Sequence, residues 1–160
     1  MTPASARDAR FYRTAGLLAG VAAVVTGISA YLPWVTYPTR SGASRTADAF
    51  QLGSAISWVG IGTVVVVSAS LLFVAGVLTV LHPFRPNLAM PLAPTLLVGL
   101  TVANSWYQIY SPVRSSLAVG MVLCLIGIAL GLASSLLLLP AEHPRSDRRL
   151  AVEVAPTPAG

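Results

Sequence analysis

The chain has 160 residues, 55% of them hydrophobic and only 9% charged, with a formal net charge of +5; its mean hydropathy is +0.75. An ordinary soluble domain carries about 25% charged residues, so water is excluded as the main solvent. Nucleic-acid binding needs a basic face, and here the basic residues lie scattered at the ends of apolar runs, which excludes that partner too.

Four apolar segments free of charged residues follow one another, at about 14–32, 55–81, 88–106 and 115–139. Each reaches the roughly 20 residues needed to cross a hydrocarbon core of about 30 Å. No alternation of apolar and polar residues supports a barrel, and backbone groups in lipid must bond within their own segment. The expected fold is therefore an all-α membrane protein, a four-transmembrane-helix bundle over 14–139. Residues 1–13 form its cytoplasmic amino terminus, 35–54 an outer loop and 140–160 a flexible cytoplasmic tail.

Span one follows Arg7, Arg10 and Arg13. Arg13, the apolar run and the small residues Ser29 and Ala30 resemble a signal peptide. The run exceeds a typical apolar region of that kind, and Ile28 would stand three residues before the cut, so span one is read as retained. Within it Gly16 and Gly20, then Ala23 and Gly27, recur at four-residue spacing, which lets helix backbones approach closely. The segment ends in Tyr31-Leu32-Pro33-Trp34-Val35. Pro33 stops the helix, and Trp34 is expected to anchor that end at the membrane interface.

The outer loop is the one extramembrane segment with room for recognition. It begins as a flexible polar stretch and ends in Thr46-Ala47-Asp48-Ala49-Phe50, where Thr46 is placed to cap a short interfacial helix setting Phe50 and Leu52 against the membrane. Its polar candidates for contact with a partner are Arg40, Arg45 and Asp48, with Phe50 beside them.

Span two carries Ser68 and Gly76 on one stripe, with Leu72 between. The following linker, with His82, Pro83, Arg85 and Pro86, is short enough to force spans two and three into an antiparallel hairpin. In span three Asn87 is the candidate cap, Pro91 is tolerated near the start, and Pro94 marks a bend where a backbone hydrogen bond is lost. Span four repeats the small-residue spacing at Gly127, Gly131 and Ser135. The tail combines charge and proline with little aromatic content, and is too polar to fold alone.

Arginine counts set the orientation. Arg7, Arg10, Arg13, Arg85, Arg145, Arg148 and Arg149 fall on one side; Arg40, Arg45 and Arg114 fall on the other. This asymmetry puts both termini in the cytoplasm. Trp34, Trp58 and Trp106, joined by Tyr31, Tyr37, Tyr107 and Tyr110, mark the outer interface at one level. All ten basic residues are arginine, which with abundant Ala, Gly and Pro reads as a GC-rich bacterial source.

Candidate chemistry is sparse. No ionisable residue lies in any span core, where proton or ion coupling would need one. The hydroxyls of Thr26, Thr63, Ser68, Thr79, Thr95, Thr101 and Ser134 are expected to bond backbone carbonyls. His82 and His143 lack a Cys or carboxylate cluster at ligand spacing, and the lone Cys124 sits in an apolar run. No catalytic residue, metal or cofactor is expected.

The run from Tyr31 to Val35, closing span one and opening a polar loop, resembles a theme of small four-span actinobacterial membrane proteins, most of them uncharacterised. The resemblance implies an architecture and no activity. Claudin-like proteins share four spans, but their first outer loop carries a cysteine pair absent here. The expected function is that of a non-enzymatic plasma-membrane protein, an accessory or scaffold subunit of a larger assembly. The alternative is a small oligomeric transporter or permeability factor. The partners expected are the lipid bilayer and either another membrane protein or a second copy of the chain.

Overall fold

Long apolar runs satisfy their backbone polar groups by helix formation, and four helices result: α1 (Ala6–Ser29), α2 (Ile61–Leu81), α3 (Ala89–Tyr110) and α4 (Val119–Leu138). A computed structural model describes residues 6–39, 41–52, 54–56, 59–81, 88–110 and 116–139. The tail from 140, the linker with His82, Arg85 and the candidate cap Asn87, and Arg40, Trp58 and Arg114 lie outside the described residues.

Helix α1 packs along both α2 and α4, and α3 packs against the other flanks of α2 and α4, so neighbouring pairs close a ring. Three of these helices, α1 from Arg10, α2 and α4, are long and apolar enough to cross a membrane. The interior side of α1 is Ala15, Ala19, Ala22 and Ala23, all buried. Its outer side is Leu17, Val21, Val24 and Ile28, with Leu17 65% exposed; on α3, Leu100 is 69% exposed. Small residues inside and large aliphatics outside invert the pattern of a water-soluble domain. Such a surface matches a hydrocarbon solvent, in which close packing rather than apolar burial drives helix association.

At one end of the ring the chain forms strands β1 (Pro33–Pro38), β2 (Ser44–Asp48), β3 (Ser54–Ile56), β4 (Val59–Gly60) and β5 (Ser116–Leu117). Strands β2, β1 and β5 make an antiparallel sheet in that order, while β3 and β4 pair separately. The topology follows from the ring. Strand β1 leaves α1, β5 leads into α4, and those helices are neighbours of opposite direction, so the strands meet antiparallel with Val35 opposite Leu117.

The sheet corrects the all-α expectation at this end. Thr46, expected to cap a helix, lies in β2 opposite Thr36. β-branched residues at Val35, Thr36 and Thr46 favour the pleated strand, and Gly42 supplies a turn with φ of 81°. The stretch expected to be flexible is a hairpin: Thr39 N–H donates to Ala43 O at 2.8 Å and Gly42 N–H to Thr39 O at 2.9 Å. Span two likewise starts later than its apolar run, because residues 54–56 and 59–60 go into β3 and β4.

The main core lies beneath the sheet, where Ala30, Trp34, Val35 and Ala49 meet Ile61, Val65, Val98, Met121 and Cys124. A second cluster joins Ala19, Ala22 and Ala23 of α1 to Leu72 of α2, with Leu130 of α4 against it. In α3, Pro94 falls inside the helix and leaves Met90 O without its usual donor. One position on, the Thr95 hydroxyl bonds Pro91 O at 2.7 Å.

Candidate functional site

The sheet and its seat on the helices are the best-built feature outside the spans. Their construction begins where α1 ends. The amides of Ala30, Tyr31 and Leu32 each bond the carbonyl three residues back, tightening the last turn, and Pro33 then directs the chain into β1. Trp34 folds back under this corner, its indole N–H donating to Ser29 O at 2.7 Å. Its ring is fully buried. Trp34 is therefore an internal plug and not the interface anchor expected, because it packs into the core with Val35, Ile61 and Met121.

Helix α4 grips the same corner from the other side. Ala118 N–H donates to Trp34 O at 2.9 Å. A Cβ at Gly120 would sit 2.7 Å from Leu32 O and 2.8 Å from Pro33 O, so only glycine admits this approach. Helix α2 makes a third attachment: Gly62 N–H donates to Ala49 O at 3.0 Å, and the Phe50 ring lies where a Gly62 side chain would be, within 2.5 Å of its Cβ. Phe50 also meets Tyr31, with ring centroids 5.3 Å apart and planes at 43°.

These contacts sort the expected partner residues. Asp48 is engaged locally: its Oδ1 accepts Phe50 N–H at 2.9 Å and Gln51 N–H at 3.1 Å, capping the turn after β2. Phe50 packs on Gly62 rather than lying on an interfacial helix. Arg45 stays on the exposed part of β2 with Ser44 and Thr46. Among the described residues strand β2 pairs with β1 alone, an edge that offers the other side of its backbone to a further strand. Of the other aromatics, Trp106 and Tyr107 are exposed near the end of α3.

The glycines expected on helix-packing faces lie in several environments. A Cβ on Gly16 would come within 2.8 Å of Gly76 O, and one on Gly76 within 2.8 Å of Gly16 O, so α1 and α2 touch backbone to backbone here. Gly127 faces the Thr26 hydroxyl of α1, and Gly131 the Thr95 hydroxyl of α3, at 2.5 Å from its Cβ position. Gly27 meets the Ala69 methyl at 3.7 Å, while the Gly20 Cβ position meets nothing within 4 Å. Ser135 bonds Gly131 O at 2.9 Å.

Buried hydroxyls mostly close onto carbonyls of their own helix, as at Thr101, Ser105 and Ser135. Ser134 instead reaches Ala15 O at 2.8 Å, tying α4 to α1. Among the described residues Ser68 has the only buried side-chain oxygen without a partner, and no three His, Cys, Asp or Glu side chains gather.

Gly62, Gly120 and the Ser29 carbonyl were not singled out from the sequence. The two glycines had a signal, since each opens a helix at the sheet end, but the pairing that requires them is non-local. The chain matches no protein-family model, no curated protein and no solved structure.

Proposed function

We propose that this protein is a non-enzymatic accessory or scaffold subunit of a plasma-membrane assembly, presenting the sheet outside the membrane for a partner. The observation that carries the reading is the sheet's three-way attachment, to α1 through Trp34, to α4 through Gly120 and to α2 through Gly62. A loop that only joined two spans would need none of this order. Rigidly held, the exposed edge of β2 with Arg45 and Thr46 suits strand addition by a partner segment.

This reading includes four spans. Helices α2 and α4 both begin beside the sheet, through Gly62 and Ala118, so α3 must return the chain across the ring between them. Its 22 residues measure about 33 Å, enough to cross the hydrocarbon core. The prolines and Asn104 make it less apolar than α2 and α4 without shortening it. With the sheet outside, both termini are cytoplasmic, in keeping with the arginine asymmetry. The likeness of Tyr31 to Val35 to small four-span actinobacterial proteins belongs to the same reading. For the transporter alternative, the polar foothold is Ser68, the one buried side-chain oxygen without a partner among the described residues.

The test is brief crosslinking in native membranes and mild-detergent purification of tagged protein, wild type beside the double variant R45E/T46E. A stoichiometric membrane protein retained by wild type and lost from the variant, at equal membrane abundance, supports the reading. Recovery of the chain alone from wild type, or equal retention by both, overturns it.

A further inference from the structure

Between α1 and α2, on the lipid-facing side, runs an open groove of about 500 Å³. Its floor is Gly16, Gly20 and Gly76, and its rims include Leu17, Val21 and Phe73. The floor and the rims differ in reach: Gly16 and Gly76 are buried, whereas the three rim side chains are at least half exposed. Gly16 and Gly76 are glycines because the two backbones meet there. Gly20 has no such reason, since a Cβ on it would meet nothing within 4 Å. Glycine costs a helix interior about 1 kcal/mol relative to alanine, and what its absence of a side chain provides here is depth to the groove.

Two observations identify an occupant. First, every lining residue is Gly, Val, Leu or Phe, so the groove offers hydrocarbon contact and no hydrogen bond. Its raised rims keep a second helix backbone away from the glycines, the reverse of what a close helix crossing needs. Second, the face is continuous with positive charge. Arg13 stands four residues before Leu17 and seven before Gly20, and Arg10 stands seven before Leu17, spacings that stack side chains on one helix face. Both arginines are exposed. They lie about one to two turns, roughly 5–11 Å, beyond the Leu17 end of the groove, where long basic side chains reach the headgroup layer.

We propose that this groove binds an anionic phospholipid, one acyl chain lying along Gly16, Gly20 and Gly76 and the phosphodiester headgroup held by Arg10 and Arg13. The apolar part selects a membrane lipid over a soluble anion, and the arginines select anionic over zwitterionic headgroups. The site is independent of the sheet and of any partner that docks there.

Native mass spectrometry of the full chain, released from nanodiscs of equal phosphatidylglycerol and phosphatidylcholine, tests this directly. Wild type should retain one diacyl lipid with about a thirtyfold preference for phosphatidylglycerol, a size two arginines supply near a charged surface. R10Q/R13Q should lose the preference while still carrying lipid. G20L should carry neither lipid, at a melting temperature equal to or above that of wild type, because its side chain enters open space and glycine is the poorer helix former. Equal retention of the two lipids by wild type overturns the proposal, as does undiminished lipid on folded G20L. A dimer that G20L abolishes, with no lipid bound to wild type, would assign the groove to a second copy instead.

Discussion

Trp34 does two jobs that different substitutions separate: its ring fills the space beneath the sheet, and its indole N–H satisfies Ser29 O at the end of α1. Trp34→Phe keeps most of the ring and removes the donor; Ser29 O then keeps only its bond from Leu32 N–H at 3.2 Å, and the loss of one hydrogen bond should cost about 0.5–1.5 kcal/mol. Trp34→Ala removes the ring as well and should cost about 3–5 kcal/mol, the range for emptying an aromatic core site. Both variants should still insert, because the apolar length of α1 is unchanged. Thermal unfolding in mild detergent, followed beside membrane fractionation, measures the two effects separately; equal stability of Phe, Ala and wild type would show that the sheet does not depend on this plug. Trp34 was legible as a special residue in Leu-Pro-Trp, but its direction was not. A tryptophan at the end of a span reads as an interface residue unless the sequence also reveals the sheet above it, and two-residue β5 leaves no periodic signal.

At the scale of elements, the helices were readable because each is a single local decision, an apolar run with its charges outside. Their ends were less so. Helix α1 begins at Ala6, well before the apolar run, because helix formation continues through the polar turn carrying Arg10 and Arg13, and apolarity marks the hydrocarbon rather than the helix. Helix α4 begins at Val119, after residues of the same apolar run have joined β5. The small-residue stripes were legible as packing faces, while the choice of neighbour was not: Gly127 serves α1 and Gly131 serves α3, although both stand on one side of α4. This division predicts unequal tolerance among glycines. Gly127→Ala and Gly131→Ala each force a methyl into a threonine side chain and should cost about 1–3 kcal/mol. Gly99→Ala, where a Cβ meets nothing within 4 Å, should be neutral or stabilising by up to about 1 kcal/mol. Denaturant titration in mixed micelles ranks the three. Equal behaviour would mean that α4 is not held by these contacts, and association between copies of the chain would then be the place to look for their effect.

The whole molecule is two solvents' worth of structure joined at one level: a bundle with large aliphatics outward, suited to lipid, and a polar-edged sheet suited to water. No disulfide joins them, since Cys124 is the only cysteine and is buried and free. Attachment instead uses glycine close approach and the Trp34 bond, which work only if α1, α2 and α4 keep their relative positions. Sheet and bundle should therefore share one fate in the membrane, with the sheet on one side and the start of α1 on the other. Site-directed labelling in a Cys124→Ala background examines this geometry. Thr46→Cys, at the exposed edge of β2, should react with a membrane-impermeant maleimide in intact cells. Arg10→Cys should react only after lysis. Tyr107→Cys, exposed near the end of α3, decides the disputed span: labelling from the same side as Thr46→Cys means that α3 crosses the membrane, because α2 carries the chain away from the sheet and only a crossing returns it. Labelling from the side of Arg10→Cys would leave three spans, and β5 could then no longer reach β1 without α4 entering from the opposite face.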